Sequence, residues 1–333
     1  MNTRDRTLLL DADPRLESKL IDQSLEAAIR ILNQADREAQ IFTYDASQVP
    51  FYQYRSANEQ LRFTLELNEV RNRRPKNPQE GCPVDLPEIK RNNGQHWFTF
   101  KLFDHVMVAL ANPFAYMPVH TTIASLAHEP QSWRAADSVD TRSKMERVVS
   151  DLYALAVSLP TFILIFNENS SSGASLPKHR HYQAFELPKG HGPLAIQQAA
   201  ARTSAHRDAP IVRIGFQDDY PVSGARFSGK EETVVHTAAD FLEKWDRLLG
   251  EAATANLIAV TENDQVCIYI VLRHALFRNA PGFAGIMGAL EMAGSFVLSS
   301  DWEFQSVRQG RVGFCTLWEM LASVRPPEAR QLT

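Results

Sequence analysis

Apolar residues recur at near-helical spacing between positions 15 and 40, at Leu20, Ile21, Leu25, Ile29, Ile31 and Leu32. That spacing predicts a helix. The stretch 72–94 is polar and proline-rich, which predicts a long loop. Aromatic and β-branched residues over 97–111 predict a strand pair turning near Phe103, Asp104 and His105. Asp140 is placed to cap a helix whose apolar positions Met145, Val148, Val149, Leu152 and Leu155 keep helical spacing up to Pro160. The run 161–166 then predicts a fully buried strand, followed by a Ser/Gly loop and a second strand over 178–187.

The second half has the same character. Segments 210–217 and 225–229 predict strands, and 233–249 a strong helix ended by Gly250. Segments 257–260 and 266–272 predict a hairpin across Glu262, Asn263 and Asp264. Antiparallel strand pairs with helices set between them indicate an α+β protein rather than a doubly wound sheet. Residues 199–208 mark the expected boundary, giving a first half over 1–205 and a second over 206–333.

Composition narrows the field. Hydrophobic residues make up 44% and charged residues 22% of the 333, enough for a substantial core. The net charge of −4 gives no footprint for a nucleic-acid groove or an anionic membrane. Cys82, Cys267 and Cys315 are odd in number and far apart, which argues against a disulfide framework and suits the reducing cytosol. The N-terminal segment shows no secretory h-region, and the most apolar run, 152–166, is too short to span a bilayer. A cytoplasmic location is the resulting expectation.

The segment FNENSSSGASLPKHRHYQAF carries the candidate chemistry. On a strand, residues two apart share a face, so His179, His181 and Gln183 form one row. A lone His-x-His is ordinarily a half-exposed polar face. The Gln at the next alternate position, the Ser/Gly loop and the buried strand before it turn the reading towards catalysis. A neutral imidazole is a competent nucleophile near pH 7. The loop at 170–175 offers backbone N–H groups and hydroxyls for phosphate oxygens, with Gly173 permitting close approach. A carboxamide at 183 holds an oxygen but moves no proton, which favours a covalent intermediate awaiting a second acceptor.

This segment resembles the active-site segment of the histidine-triad (HIT-like) superfamily, in the branch of uridylyltransferases, diadenosine tetraphosphate phosphorylases and GDP-hexose phosphorylases. The resemblance implies an α+β, HIT-like fold of two related halves with antiparallel sheet and flanking helices. It implies His181 as the nucleophile that becomes nucleotidylated, Gln183 as the group that steadies the intermediate, and His179 as support. Asn169, Ser172, Gly173 and Ser175 would line the phosphates. The stretch VMVALANPFAYMPVHTTIASLAHEPQ resembles the upstream strand–loop–strand of the superfamily, which brings Asn112 and Pro113 near the nucleotide. LNEVRNRRP resembles an arginine segment that contacts phosphates, making Arg71, Arg73 and Arg74 candidates. The stretches NLIAVTENDQVCIYIVLRHALFRN and GALEMAG resemble the C-terminal half of phosphorylase-like members.

Uridylyltransferases of this branch often hold a structural zinc with a Cys-x-x-Cys pair and two histidines. Here the matching positions are Cys82, Asp85, His128 and His179, with a carboxylate where a second thiolate would stand. Zinc accepts carboxylate oxygen. The chemistry itself requires neither that ion nor a magnesium escorting the substrate. The expected activity is nucleotidyl transfer from an NDP-sugar or a dinucleoside polyphosphate to phosphate or a sugar phosphate. A HIT-type hydrolase and a non-catalytic nucleotide-binding protein are the alternatives. Neither nucleic acid nor membrane is an expected partner, and two related halves would make a monomer sufficient. His96, His105, His120, His191, His206 and His236 receive no role.

Overall fold

The structure, a computed structural model, describes residues 7–41, 49, 51–68, 82, 84, 85, 89, 95–134, 140–203, 209–217 and 219–332. In chain order its strands are β1 (Thr7–Ala12), β2 (Phe51–Arg55), β3 (Arg62–Leu67), β4 (Trp97–Leu102), β5 (His105–Ala111), β6 (Thr121–Ser125) and β7 (Ile163–Asn167). They continue with β8 (His181–Phe185), β9 (Ile211–Ile214), β10 (Gly224–Ser228), β11 (Ala253–Glu262), β12 (Gln265–His274) and β13 (Ser295–Leu298). Among the described residues, ten of them form one sheet in the order β1-β4-β5-β6-β8-β7-β11-β12-β10-β9. Every neighbouring pair in it is antiparallel. A second sheet has the order β13-β3-β2, with β13 parallel to β3. The fold is α+β, as expected.

The hairpins sit where turn chemistry puts them. Leu102 pairs with His105 across Phe103 and Asp104. Glu262 pairs with Gln265 across Asn263 and Asp264, both with positive φ (49° and 62°). Two left-handed residues in a two-residue loop match the right-handed twist of the strands they join.

The central strands are buried on both sides, which accounts for their near-continuous apolar character. In β7, Leu164 and Phe166 face one core while Ile163 and Ile165 face another. β11 and β12 divide in the same way, Ile268 and Ile270 to the first core, Tyr269 and Val271 to the second. The first core is closed by two long helices, Thr141–Ser158 and Glu231–Leu249. Asp140 caps the former by accepting the Ser143 N–H at 3.0 Å. Trp245 anchors the latter, its indole N–H shared between the carbonyls of Thr254 and Arg273 at 3.1 Å each. Burying a side chain of that class stabilises a fold by about 1.5–3 kcal/mol.

Several expectations change in detail. The expected helix over 15–40 is two helices, Glu17–Leu20 and Leu25–Glu38, because the chain turns at Ile21 and restarts on the Ser24 cap. Residues 199–203 of the expected boundary complete the helix Ala195–Thr203. The large sheet runs across that point, since β7 pairs with β11. Of the expected loop over 72–94, only Cys82, Val84, Asp85 and Ile89 fall within the described residues. No helix among the described residues is long and apolar enough to cross a membrane.

Candidate active site

Strand alternation orients the central residues. Tyr182 points to the helix side, where its hydroxyl donates to Asp151 at 2.7 Å. His181 and Gln183 point the other way, into a cavity also lined by Asn112, Tyr116, Asn167, Gly173, Ser175, Gly288 and Glu291. His181 is only 3% exposed. Its Nδ1 lies 2.9 Å from the carbonyl oxygen of His179. A carbonyl only accepts, so Nδ1 carries the proton and a neutral ring has its lone pair on Nε2.

Gln183 is oriented by two neighbours. The Tyr116 hydroxyl donates to its Oε1 at 2.7 Å, and His120 Nε2 stands 2.9 Å from the same oxygen. His120 Nδ1 accepts the Tyr116 N–H at 3.4 Å, which assigns the ring proton to Nε2. With its oxygen engaged twice, the carboxamide is left to offer its NH2 group to a ligand.

The Ser/Gly loop is a tight turn, Ser170–Ser172, rather than an open cradle. Asn169 caps it, its Oδ1 accepting from Ser171 N (2.9 Å) and Ser172 N (3.2 Å). Ser172 is fully buried, its hydroxyl donating to the Asn169 carbonyl, so Asn169 and Ser172 build the loop while Gly173 and Ser175 face the cavity. Gly173 has φ +98°, and a Cβ there would come within 2.9 Å of Gly288 Cα. Glycine is the residue that fits such a position.

Residues far apart in the chain meet at this point. Asn167 Oδ1 accepts from Ala289 N at 2.9 Å and from Asn256 Nδ2 at 2.7 Å. Asn256 in turn accepts from the fully buried Arg273 at 2.8 Å, which also donates to the Met287 carbonyl at 2.7 Å. Burial pulls the Arg273 guanidinium down to about 10, still cationic at neutral pH. Glu291 Oε2 accepts the Gly288 N–H at 2.9 Å on the same wall.

His179 lies just before β8 and takes a different direction from His181 and Gln183. Its Nε2 stands 2.6 Å from the Ser125 carbonyl and therefore donates, leaving the Nδ1 lone pair facing Cys82 Sγ at 3.0 Å. The ligand atoms of Cys82, His128 and His179 lie within 4.8 Å of one another. Asp85 acts electrostatically on Cys82 and His179 but is not in that cluster. Burial lowers the His179 pKa and raises that of the Cys82 thiol. One thiol and two imidazoles, with one ring nitrogen fixed by a carbonyl, fit a zinc ion.

Of the other expected residues, Asn112 lines the cavity and accepts the Phe114 N–H at 2.9 Å, and Pro113 lies beside it. Arg71, Arg73 and Arg74 lie outside the described residues. Asn68, in the segment leading to them, is buried with Nδ2 3.4 Å from the Ala115 carbonyl. Sequence reasoning missed Tyr116, His120, Gln131, Asn167, Asn256, Gly288 and Glu291. Asn167 sat inside the quoted segment, and Gly288 and Glu291 inside GALEMAG.

A family model described as a domain of unknown function (DUF4922) matches residues 82–186. No curated protein matches the sequence. In structure, the chain is similar to yeast Ap4A phosphorylase Apa2 in complex with AMP, at a TM-score of 0.61 and 14% identity, covering 92% of this chain and 99% of that one. The same enzyme in complex with Ap4A gives a TM-score of 0.59 and 13% identity, covering 92% and 98%. The chain thus shares its fold with the yeast Ap4A phosphorylase, an α+β architecture of the kind anticipated from the sequence.

Proposed function

We propose that the chain is a nucleotidyltransferase of the phosphorylase type, acting through a nucleotidyl-His181 intermediate. The observation that carries this is the His181 ring in the cavity, its Nδ1 committed to the His179 carbonyl, beside a Gln183 whose oxygen is already engaged. The Nε2 lone pair attacks the α-phosphorus of a dinucleoside polyphosphate or an NDP-sugar. The P–N bond forms as the phosphoanhydride P–O bond breaks, and a phosphorylated product leaves. An oxygen of phosphate or a sugar phosphate then attacks the same phosphorus, the P–N bond breaks and the neutral ring returns. Phosphate as acceptor yields a nucleoside diphosphate.

The roles follow from the chemistry of each group. The Gln183 NH2 donates to a non-bridging oxygen, and Ser175 on the cavity wall receives another, since the Gly173 and Ala174 N–H groups close the turn on Ser170 and Asn169. Neither delivers a proton, which suits double displacement better than hydrolysis. The similarity in fold to a protein solved with AMP and with Ap4A supports a dinucleoside polyphosphate as donor. Cys82, His128 and His179 would hold a zinc ion, with Asp85 nearby. Such an ion would brace the segment bearing His181 and supply no reacting group. Magnesium would enter only with the polyphosphate.

Intact-mass measurement after mixing with Ap4A and a panel of NDP-sugars tests this reading. A nucleotidyl adduct that is absent in His181→Asn supports it. Rapid monophosphate release without acceptor marks a hydrolase, and a thermal shift with neither adduct nor product marks a binding protein.

A further inference from the structure

The β7–β8 ladder stops two residues short of the nucleophile. Its register runs Ile163 with Phe185, Leu164 with Ala184 and Ile165 with Gln183. Continued, it would set Asn167 opposite His181. Instead the strands part and the side chain of Gln131 fills the gap, 1% exposed. Its Oε1 accepts the His181 N–H at 2.8 Å. Its Nε2 donates to the Asn167 carbonyl at 2.7 Å and to the His181 carbonyl at 3.1 Å. One carboxamide thus replaces the backbone ladder at this pair and holds both main-chain groups of His181.

The surrounding chain makes this amide a fixed point. Gln131 N donates to the Pro177 carbonyl at 3.2 Å, and Arg180 N to the Glu129 carbonyl at 2.6 Å. Asn167 carries the restraint to the opposite wall through Ala289 and Asn256. We infer that Gln131 is a positioning residue: it sets the separation between the His181 backbone and the Asn167 wall, and so aims the imidazole at the α-phosphorus. This rests on the reading of His181 as nucleophile. Gln131 touches no reacting atom. A displacement of the ring by about 1 Å is enough to cost on the order of 10²-fold in rate. No other neutral side chain of that length offers one acceptor and two donors in a plane.

The test compares the full chain with Gln131→Met, which keeps the length and loses every bond, and Gln131→Glu. In the latter, the carboxyl restores one acceptor and one donor only when protonated. The readouts are the single-turnover rate of adduct formation with Ap4A, the dissociation constant for AMP, and amide exchange at His181. In Gln131→Met the adduct rate falls roughly 30- to 300-fold while AMP affinity stays within about threefold. In Gln131→Glu the rate relative to wild type rises as pH is lowered from about 8 to about 6. A Gln131→Met rate within threefold of wild type overturns the inference. So does a loss of rate matched by an equal loss of AMP affinity, or a Gln131→Glu ratio that ignores pH. If the wild type forms no adduct with any donor, the nucleophile reading fails on its own account. The clamp is then judged by exchange at the His181 amide: at least about tenfold faster in Gln131→Met sustains it, and unchanged exchange overturns it.

Discussion

His120 Nε2 stands 2.9 Å from Gln183 Oε1, and the same oxygen receives the Tyr116 hydroxyl at 2.7 Å. Two donors on one acceptor fix which end of the carboxamide faces the cavity. A glutamine without these partners would sample both flips, and one of them would present an oxygen to phosphate.

Tyr116→Phe and His120→Phe each remove one of those donors. A neutral hydrogen bond contributes about 1 kcal/mol, so each variant is expected to slow adduct formation roughly five- to tenfold. The two effects are not additive, because each donor backs up the other. A double-mutant cycle on the single-turnover rate checks this. Equal and additive losses would show that the two groups do not act through Gln183.

Gly173→Ala introduces a Cβ at φ +98°, 2.9 Å from Gly288 Cα. The expected result is a loss of about 1–3 kcal/mol in unfolding free energy, with weaker AMP binding as the loop and the 287–289 wall move apart. Urea denaturation and calorimetric titration of AMP measure the two effects. Unchanged AMP affinity would mean that this contact does not shape the ligand site.

Purified protein should carry about one equivalent of zinc, as expected for a site that gathers one thiolate and two imidazoles. Cys82→Ser and His128→Ala should each lose it. Metal analysis by mass spectrometry reads the content, and thermal denaturation with and without chelator reads the stabilisation. Full thermal stability in metal-free protein, with no zinc in the wild type, would leave Cys82 and His179 as a thiol–imidazole hydrogen bond.

His191 is 1% exposed, with Nδ1 2.9 Å from the Gly192 carbonyl and Nε2 3.1 Å from the Ser295 hydroxyl. Burial is the largest influence on it and lowers its pKa. A depressed folded-state pKa contributes stability above the unfolded value of about 6.5, lost as pH falls through the folded value. The midpoint temperature should therefore drop below about pH 6.5, and drop less steeply in His191→Gln. Calorimetry from about pH 8 to pH 5 on both proteins decides the matter, and identical slopes would exclude His191 as a source of the acid sensitivity.

What could be read in the sequence was what lies contiguous along the chain. The unit from Thr141 to Phe185 is a capped helix, a buried strand, a tight Ser/Gly turn and the strand bearing His181 and Gln183, and local spacing describes all four. Even there, the expected row of three was only two. His179 precedes the strand, and the Ser125 carbonyl turns its ring towards Cys82. β2, β3 and β13 escaped notice, and their sheet joins Thr64–Leu67 to Ser295–Leu298 by parallel pairing. No local pattern announces such a partnership.

By itself, the sequence determined an α+β chain with an imidazole and a carboxamide two residues apart on one strand face after a glycine turn. Side-chain period on a strand is a property of the backbone and needs no partner to be known. Only the tertiary structure decided which neighbours complete that face. Tyr116 and His120 orient Gln183, Gln131 replaces a missing ladder pair beside His181, and Asn256 with Arg273 ties the loop to the wall at Gly288. Those contacts join residues far apart in the chain, and they form because buried polar groups must find partners wherever the packed core brings them together.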